Sequence, residues 1–355
     1  MAESSKDGEA PAGASGEAVD AVLEETWFPV GDGTKLFLRR WFPQEPQSPP
    51  PAGGKSGNRG TLRGIVHIVH GMAEHALRYE RLARRLCAQG IAVWAADQRG
   101  HGRTADPLVN DPGKGGLLGH CRDRDGIAHI IDDINRITLQ IRETHPQTPL
   151  FLLGHSWGSF LVQSYIEQHN PGLAGCVLSG TRGPGGIKIL LGVPFMTLIA
   201  AARGCRRGSA LACLMANGPY NKPFKPKRTA YDWLSRDERE VDAFIADPRC
   251  GQLSSSGFYR DMLGMLNRIH TGKALAAIPR DLPVYVFSGS ADPVGEMGSS
   301  PTALVNALKS LPVTDLEFVL YPGARHEVLN ETNREEVMGD LIAWINKHCA
   351  APGKR

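Results

Sequence analysis

The sequence predicts an α/β fold, with a mostly parallel sheet flanked by helices and a helical cap inserted into it. Short apolar segments rich in β-branched residues, such as 64–70 and 91–97, alternate with amphipathic segments of helical period such as 125–143. Alternation of this kind is typical of βαβ units and therefore of parallel strands. The alternation stops after residue 180 and resumes at residue 283, so the segment between them is predicted to be an insertion.

These elements divide the chain into a tail, a core and a cap. Residues 1–22 are acidic and rich in Ala and Gly, a composition that predicts disorder. Residues 23–180 and 275–355 are predicted to form the core, and residues 181–274 the cap. A Pro/Gly/Ser-rich surface loop is expected at 43–60. The predicted strands are 24–30, 35–42, 64–70, 91–97, 149–155, 173–180, 283–289 and 315–322. The predicted core helices are 78–89, 125–143, 157–169, 301–311 and 333–348.

Composition argues against several classes of protein. A net charge of +3 over 355 residues lacks the basic excess of nucleic-acid-binding domains, so no nucleic-acid partner is expected. The 7 cysteines are scattered without CxxC spacing, which argues against a disulfide framework or a zinc site and predicts a reducing, cytoplasmic compartment. Neither a secretory signal pattern nor an uninterrupted apolar run of about 18 residues is evident, so no membrane span is expected.

The segment LFLLGHSWGSFL, residues 150–161, carries the first candidate for chemistry. Its GxSxG motif places Ser156 between the predicted strand 149–155 and the predicted helix 157–169. A strand, a tight glycine-flanked turn and a helix form a nucleophile elbow, which exposes the serine hydroxyl. The alternative is a glycine-rich turn with a solvent-facing serine, because so short a motif also occurs by chance.

A serine nucleophile needs a base and a carboxylate, and both are expected after later strands of a parallel sheet. Asp292 directly follows the predicted strand 283–289, and His326 directly follows the predicted strand 315–322. Taken singly, Asp292 is also explained as a turn cap and His326 as a surface-loop histidine. The order Ser156, Asp292, His326 at three strand ends favours a catalytic triad. Other acids and histidines are placed at the wrong strand end, in the cap or in the last helix: Asp281, Asp315, His270 and His348.

Two main-chain amides are the expected donors to a tetrahedral oxyanion. One follows the nucleophile at Trp157, and the other lies in the loop 70–80 at Met72, next to Gly71. No metal and no organic cofactor are expected. A metal site near this loop is not favoured, since there is no HExxH motif and two of the histidines point to opposite faces of a strand. The residues that suggest such a site are His67, His70, Glu74 and His75.

Five segments together resemble the α/β-hydrolase superfamily, and within it the branch of monoacylglycerol lipases and bacterial-type lysophospholipases. They are HGMAEH, DQRGHGRT, GHSWGS, SADPVG and YPGARHE. The resemblance implies an α/β-hydrolase fold with a cap, in which Ser156 is the nucleophile and Asp292 and His326 are its partners. It also implies oxyanion donors at Met72 and Trp157. The residue after the nucleophile is more often methionine in such proteins, and two interpretations of the Trp157 indole stay open: it narrows the pocket, or it packs beneath the elbow.

The predicted function is hydrolysis of a lipid carboxylic ester, a monoacylglycerol or a lysophospholipid, through an acyl-enzyme on Ser156. The alternative is a general carboxylesterase or an acyltransferase acting on small esters. A small-molecule lipid ester is the expected partner, while acyl-chain length and oligomeric state are left open. The cap segment 186–208 joins an apolar stretch to Arg203, Arg206 and Arg207. This segment either makes peripheral contact with a membrane surface, or packs on the sheet with its arginines in water.

Overall fold

The structure is a computed structural model that describes residues 21–44, 62–169, 172–185 and 187–349. The predicted tail therefore lies outside the described residues as far as residue 20. Strand structure begins at Ala21, earlier than the predicted end of the tail, because Ala21 pairs with Pro43 across a hairpin. Most of the predicted surface loop, from residue 45 onward, also lies outside the described residues.

Strands and α-helices are the main elements in the described part of the chain. The strands are β1 (Ala21–Pro29), β2 (Lys35–Pro43), β3 (Gly64–Val69), β4 (Ile91–Asp97), β5 (Leu150–His155), β6 (Gly175–Ser179), β7 (Val284–Gly289) and β8 (Leu316–Tyr321). The helices are α1 (Glu80–Cys87), α2 (Gly126–Thr144), α3 (Trp157–Ile166), α4 (Ile187–Arg203), α5 (Ala210–Asn217), α6 (Glu238–Ala246), α7 (Ser256–Ile269), α8 (Gly272–Leu275), α9 (Ser299–Lys309) and α10 (Arg334–Cys349).

The strands within the described ranges form one sheet in the order β1-β2-β4-β3-β5-β6-β7-β8. Strands β1 and β2 form an antiparallel hairpin, and β2 also runs antiparallel to β4. The remaining pairs, from β4 through β3 to β8, are parallel. The predicted mostly parallel sheet is therefore confirmed, and its strand limits shift by only a few residues.

Helices cover both faces of the sheet because successive side chains of a strand point in opposite directions. In β5, Leu152 belongs to an apolar cluster that includes buried residues of α2, α3 and α9. Its neighbours Phe151 and Leu153 belong to a second cluster with buried residues of α1 and α10. Strand β5 is thus buried on both faces, which explains why its sequence is continuously apolar rather than alternating.

The segment predicted as the cap contains α4 to α8, between β6 and β7. Helix α4 packs against α7, and Met196 of α4 is buried in the same apolar cluster as Leu266 of α7. Helix α7 also contacts the core helices α2 and α3. The limits of the cap, residues 181 and 274, remain a prediction. None of the helices in the described ranges combines the length and apolarity that a membrane crossing requires.

Candidate active site

The turn between β5 and α3 holds Ser156 in an unusual backbone conformation, with φ 52° and ψ −122°. Few residues other than glycine adopt a positive φ, and such strain is typical of a nucleophile elbow. The flanking glycines allow the close approach that this turn needs. A Cβ atom added to Gly154 would lie 2.7 Å from the Cα atom of Ser159, and one added to Gly158 would lie 2.7 Å from the carbonyl carbon of Val69. Neither glycine therefore has room for a side chain.

Three side chains converge at the carboxyl ends of β5, β7 and β8. The Nε2 atom of His326 lies 2.8 Å from the Oγ atom of Ser156, and the Nδ1 atom lies 3.0 Å from Oδ2 of Asp292. The second carboxylate oxygen of Asp292 accepts a hydrogen bond of 2.8 Å from the amide of Val294, so this buried carboxylate has a fixed orientation. Since a carboxylate can only accept, Nδ1 carries the proton and Nε2 is left to accept the serine hydroxyl proton. The structure thus brings together the three residues that the sequence predicts; their catalytic roles stay a prediction.

The two histidines nearest to Ser156 have opposite proton affinities. Burial disfavours the imidazolium form of His326, but the charge of Asp292 and its hydrogen bond outweigh burial and raise the pKa of His326 above its ordinary value. Burial and the neighbouring His326 lower the pKa of His155 to about 4. The ring centroids of the two histidines are 5.0 Å apart. His155 is therefore neutral at pH 7 and is the poorer base, although it stands next to the serine in sequence.

One predicted oxyanion donor lies in the cavity wall, and the other directly follows Ser156 in the chain. Met72 and Ser156 both line the same cavity. The amide of Trp157 belongs to the first turn of α3, where amides have no acceptor within the helix and favour negative charge. These positions are compatible with the predicted role, which remains a prediction for both amides.

The indole of Trp157 lies beneath the elbow and away from the cavity. Only 1% of its surface is exposed, and its ring centroid is 4.8 Å from that of Phe258 in α7. The described residues that line the cavity do not include Trp157. Its Nε1 atom donates a hydrogen bond of 3.1 Å to the side-chain oxygen of Gln98. Of the two interpretations left open by the sequence, the structure supports packing beneath the elbow, and it adds a polar partner that sequence reasoning missed.

A cavity of about 300 Å³ opens beside Ser156 and His326. Most of its wall comes from the cap and is apolar, whereas the wall next to His326 includes Glu74, His155 and Glu327. The cavity therefore has an apolar part and a polar part, and Ser156 is among the residues that line it. The larger apolar and aromatic residues in the cap wall are Leu214, Tyr231, Trp233, Leu234, Phe244 and Leu253.

A buried charge cluster forms the polar part of the cavity. Arg78 donates two hydrogen bonds, of 2.6 and 2.8 Å, to Glu327 and one of 2.8 Å to Glu74. Burial raises the pKa of a carboxyl, but the Arg78 guanidinium outweighs burial and lowers the pKa of both Glu74 and Glu327. Two carboxylates thus share one guanidinium, which leaves an excess of negative charge. Glu74 and Arg78 are only four residues apart, but Glu74 lies before the helical turn 76–79 that contains Arg78, so helical spacing does not predict this pair.

Two groups of residues outside the triad could hold a metal ion. His75, Asp247 and Cys250 offer ligand atoms within 4.8 Å of one another, and so does a second group. In each group the carboxylate already has a partner: Asp247 lies 2.7 Å from Nε2 of His75, and the carboxylate of the second group accepts from Arg206. The residues of the second group are His120, Asp123 and Cys205. Burial raises the pKa of the Cys250 thiol, which opposes its ionisation as a ligand.

Known proteins resemble this chain over most of its length. The family Hydrolase_4, described as serine aminopeptidase, S33, matches residues 60–333. A monoacylglycerol lipase of Mycolicibacterium smegmatis is 30% identical over 291 residues, which cover 81% of this chain and 89% of that protein. The monoglyceride lipase of Homo sapiens is 25% identical over 330 residues, with 91% and 90% covered.

Solved structures show the same fold. A carboxyl esterase from Bacillus coagulans superposes with a TM-score of 0.79 at 25% identity, covering 92% of this chain and 99% of that chain. A soluble variant of the monoglyceride lipase of Saccharomyces cerevisiae superposes with a TM-score of 0.66 at 21% identity, covering 96% and 100%. At 21% identity the second similarity concerns the fold alone.

Proposed function

The chain belongs to the Hydrolase_4 (serine aminopeptidase, S33) family of α/β-hydrolases and is a carboxylic ester hydrolase, and on this premise we propose that it cleaves a monoacylglycerol through an acyl-enzyme on Ser156. The family membership confirms the resemblance carried by the five sequence motifs. The observation that supports the proposal is the 2.8 Å contact between Ser156 and His326, at a cavity with one apolar and one polar part.

The geometry supplies each step of acyl transfer. Nε2 of His326 accepts the proton of Ser156 as Oγ attacks the ester carbonyl, and Asp292 stabilises the resulting imidazolium. The amides of Met72 and Trp157 donate to the oxyanion of the tetrahedral intermediate. His326 returns the proton to the departing alcohol. A water molecule then gives a proton to His326 and attacks the acyl-enzyme. His326 passes this proton to Oγ as the bond to the acyl group breaks, which releases the fatty acid and regenerates Ser156.

The charge of the cavity favours a neutral head group. A monoacylglycerol presents two hydroxyls, which donate hydrogen bonds to the ionised Glu74 and Glu327. A lysophospholipid presents a phosphate, which the excess negative charge of these carboxylates repels at short range. The relatives from Mycolicibacterium smegmatis and Homo sapiens, a monoacylglycerol lipase and a monoglyceride lipase, support the same substrate class.

The test compares the wild type with Ser156→Ala on a monoacylglycerol and on a lysophospholipid with the same acyl chain. Ser310→Ala, at an exposed serine after α9, is the matched control. We expect fatty-acid release from the monoacylglycerol to fall by about 10⁴-fold or more in Ser156→Ala, with an unchanged circular dichroism spectrum.

Undiminished release by the Ser156→Ala variant would overturn the proposed acyl-enzyme. Faster release from the lysophospholipid would overturn the head-group assignment, and preferred acyl transfer to added glycerol would indicate an acyltransferase.

We further propose that the cap makes peripheral contact with a lipid surface. Helix α4 buries Met196, yet Leu191 and Leu198 of the same helix are 61% and 68% exposed. Leu214 in the next helix, α5, is 68% exposed and also lines the cavity that contains Ser156. Exposed apolar surface of this extent is typical of a docking site.

The basic residues near this surface differ in their availability to a lipid head group. Arg206 is bound to Asp123 by two hydrogen bonds of 2.6 and 2.8 Å, whereas Arg203 and Arg207 are exposed. Only the latter two are therefore available to anionic head groups. A cytoplasmic location also remains a proposal; it is supported by the 7 cysteines, all of which lie in described parts of the chain and none of which forms a disulfide bond.

A further inference from the structure

The side chain of Trp157 joins two parts of the molecule that the sequence keeps apart. Its main chain begins α3, directly after the nucleophile, while its indole reaches Gln98, the first residue after β4. The hydrogen bond between Nε1 of Trp157 and Oε1 of Gln98 is 3.1 Å long and buried. A methionine at this position has no N–H group to make this bond.

Gln98 connects Trp157 to the loop that carries Met72. Its side-chain amide donates a hydrogen bond of 2.6 Å to the carbonyl oxygen of His70. An indole N–H can only donate and a carbonyl can only accept, so the two partners fix which end of the Gln98 side chain faces which group. The main-chain amide of Gln98 also donates to Nε2 of His70, at 2.9 Å. Gln98 therefore holds both the main chain and the ring of His70.

The tautomer of His70 follows from these contacts. Because Nε2 accepts from the Gln98 amide, the ring proton sits on Nδ1, which donates a hydrogen bond of 2.8 Å to the carbonyl oxygen of Gly71. Burial lowers the pKa of His70, which keeps the ring neutral and this pattern intact. The peptide group between Gly71 and Met72, which carries the Met72 N–H, is therefore connected through His70 and Gln98 to the indole of Trp157.

We propose that Trp157 is a positioning residue for the oxyanion hole: through Gln98, its indole fixes the distance between its own amide and the amide of Met72. The inference rests on the proposed function, since it assigns a task only if both amides bind the oxyanion. Oxyanion donors act only when they lie at hydrogen-bond distance from the developing charge, so a small displacement of one donor lowers the rate. The elbow and the loop belong to different strand ends, and this contact ties them together.

A second anchor holds the loop from its other side. The amide of Gly71 donates a hydrogen bond of 2.5 Å to Oε1 of Glu74, which also accepts from the hydroxyl of Tyr79 at 2.8 Å. This anchor does not involve the elbow. Removing the indole N–H should therefore leave the loop folded but allow it to shift relative to Ser156. We accordingly expect a kinetic change with little loss of structure.

The test uses one control and two variants, each of which breaks the hydrogen-bond route from the Trp157 indole through Gln98 to His70. Trp157→Phe removes the N–H group and keeps an aromatic ring, and Gln98→Met removes the partner. Trp41→Phe is the control, because Trp41 is fully buried and its Nε1 atom has no hydrogen-bond partner among the described residues. The measurements are kcat and KM with a soluble ester, and the Ki values of an alkyl boronic acid and of an uncleavable alkyl ether. The boronic acid forms a tetrahedral adduct on the serine, whereas the ether resembles the bound substrate only.

We expect Trp157→Phe and Gln98→Met each to lower kcat by about 10- to 100-fold with KM unchanged. The Ki of the boronic acid should rise by a similar factor, while the Ki of the ether and the kinetics of Trp41→Phe stay unchanged. The double variant should lose no more than the more impaired single variant, because both changes break one route.

A mere packing role predicts a different pattern. It lowers thermal stability in Trp157→Phe and Trp41→Phe alike, and it leaves kcat and the boronic acid Ki of the folded protein unchanged; that result would overturn the inference. If Trp157→Phe does not fold, Gln98→Met decides alone by the same criteria. Ser156→Ala, assayed in parallel, separates the two proposals: activity in that variant overturns the proposed function, whereas its inactivity beside a fully active Trp157→Phe overturns only the positioning role.

Discussion

The Nε2 atom of His326 lies 2.8 Å from the Oγ atom of Ser156, although 170 residues separate the two along the chain. The parallel sheet brings about this contact, because β5 and β8 end at the same edge. Asp292 follows β7, which lies between β6 and β8 at that edge, and completes the row. Local sequence supplies each side chain, and the strand order supplies their proximity.

The carboxylate of Asp292 should be required for turnover. Asp292→Asn preserves the size of the side chain but removes the charge that stabilises the imidazolium, and it disturbs the tautomer of His326. We expect kcat to fall by about 10⁴-fold on a soluble ester, with circular dichroism unchanged. Asp281→Asn is the control, since this exposed aspartate precedes β7 at the opposite end of the strand. A fall of less than about tenfold in Asp292→Asn would show that another group orients the histidine.

The raised pKa of His326 predicts the acidic limb of the pH profile. Only the neutral imidazole accepts the proton of Ser156, so kcat/KM should be full above the pKa of His326 and fall as the pH drops through it. Since Asp292 raises this pKa, the midpoint should lie above 6.5, the ordinary value of a histidine. The measurement is kcat/KM on a soluble, non-titrating ester between about pH 5 and 9, with the fold monitored by circular dichroism. A midpoint at or below 6.5 contradicts the geometry described for Asp292.

The packing of the helix that follows Ser156 depends on Gly158. A methyl group at this position overlaps the carbonyl groups of Val69 and His70, main-chain atoms that cannot move aside. Gly158→Ala should therefore lower the free energy of unfolding by about 2 kcal/mol or more and displace the elbow, which urea titration and kcat measure. The matched control is Gly339→Ala in α10, because a Cβ atom there meets nothing within 4 Å. That control should raise stability by up to about 1 kcal/mol; equal stability of the two variants would contradict the prediction.

The exposed leucines of the cap should govern binding to lipid vesicles. Leu191→Ser and Leu198→Ser remove apolar surface that is mostly exposed, so vesicle co-sedimentation should weaken while hydrolysis of a soluble ester stays unchanged. Leu108→Ser is the control: Leu108 is 94% exposed but lies after β4, outside the cap. Equal weakening by all three substitutions would indicate unspecific adsorption, and no weakening by the two cap variants would remove the proposed contact.

Sequence alone predicts the sheet and the convergence of the triad because both depend on local patterns. Apolar runs and glycine-bounded turns mark the ends of β5, β7 and β8. Because sites in parallel sheets lie at the carboxyl ends of the strands, these three ends are predicted to lie together. The position of Ser156 within a strand–turn–helix segment is likewise a local property. Only the chain order of the three residues is needed to connect these local patterns into a site.

Side-chain contacts between distant segments could not be predicted in the same way. Arg78 and Glu327 are 249 residues apart, and neither has a motif that points to the other. The partner of the Trp157 indole, Gln98, lies 59 residues earlier, after a different strand. Such pairs depend on the register of neighbouring strands and on rotamers, which periodicity does not specify. The sequence therefore left the task of the indole open, although it predicted the position of the Trp157 amide.

The positive φ of Ser156 sets a trade-off between stability and activity at one residue. A strained backbone of this kind costs about 1–3 kcal/mol, an appreciable share of the about 5–15 kcal/mol that keeps a typical domain folded. Replacing Ser156 with glycine relieves the strain and removes the nucleophile at once, so the inactive protein should be the more thermostable one. Attempts to stabilise this enzyme should therefore strengthen contacts elsewhere in the fold and leave the strained backbone of Ser156 unchanged.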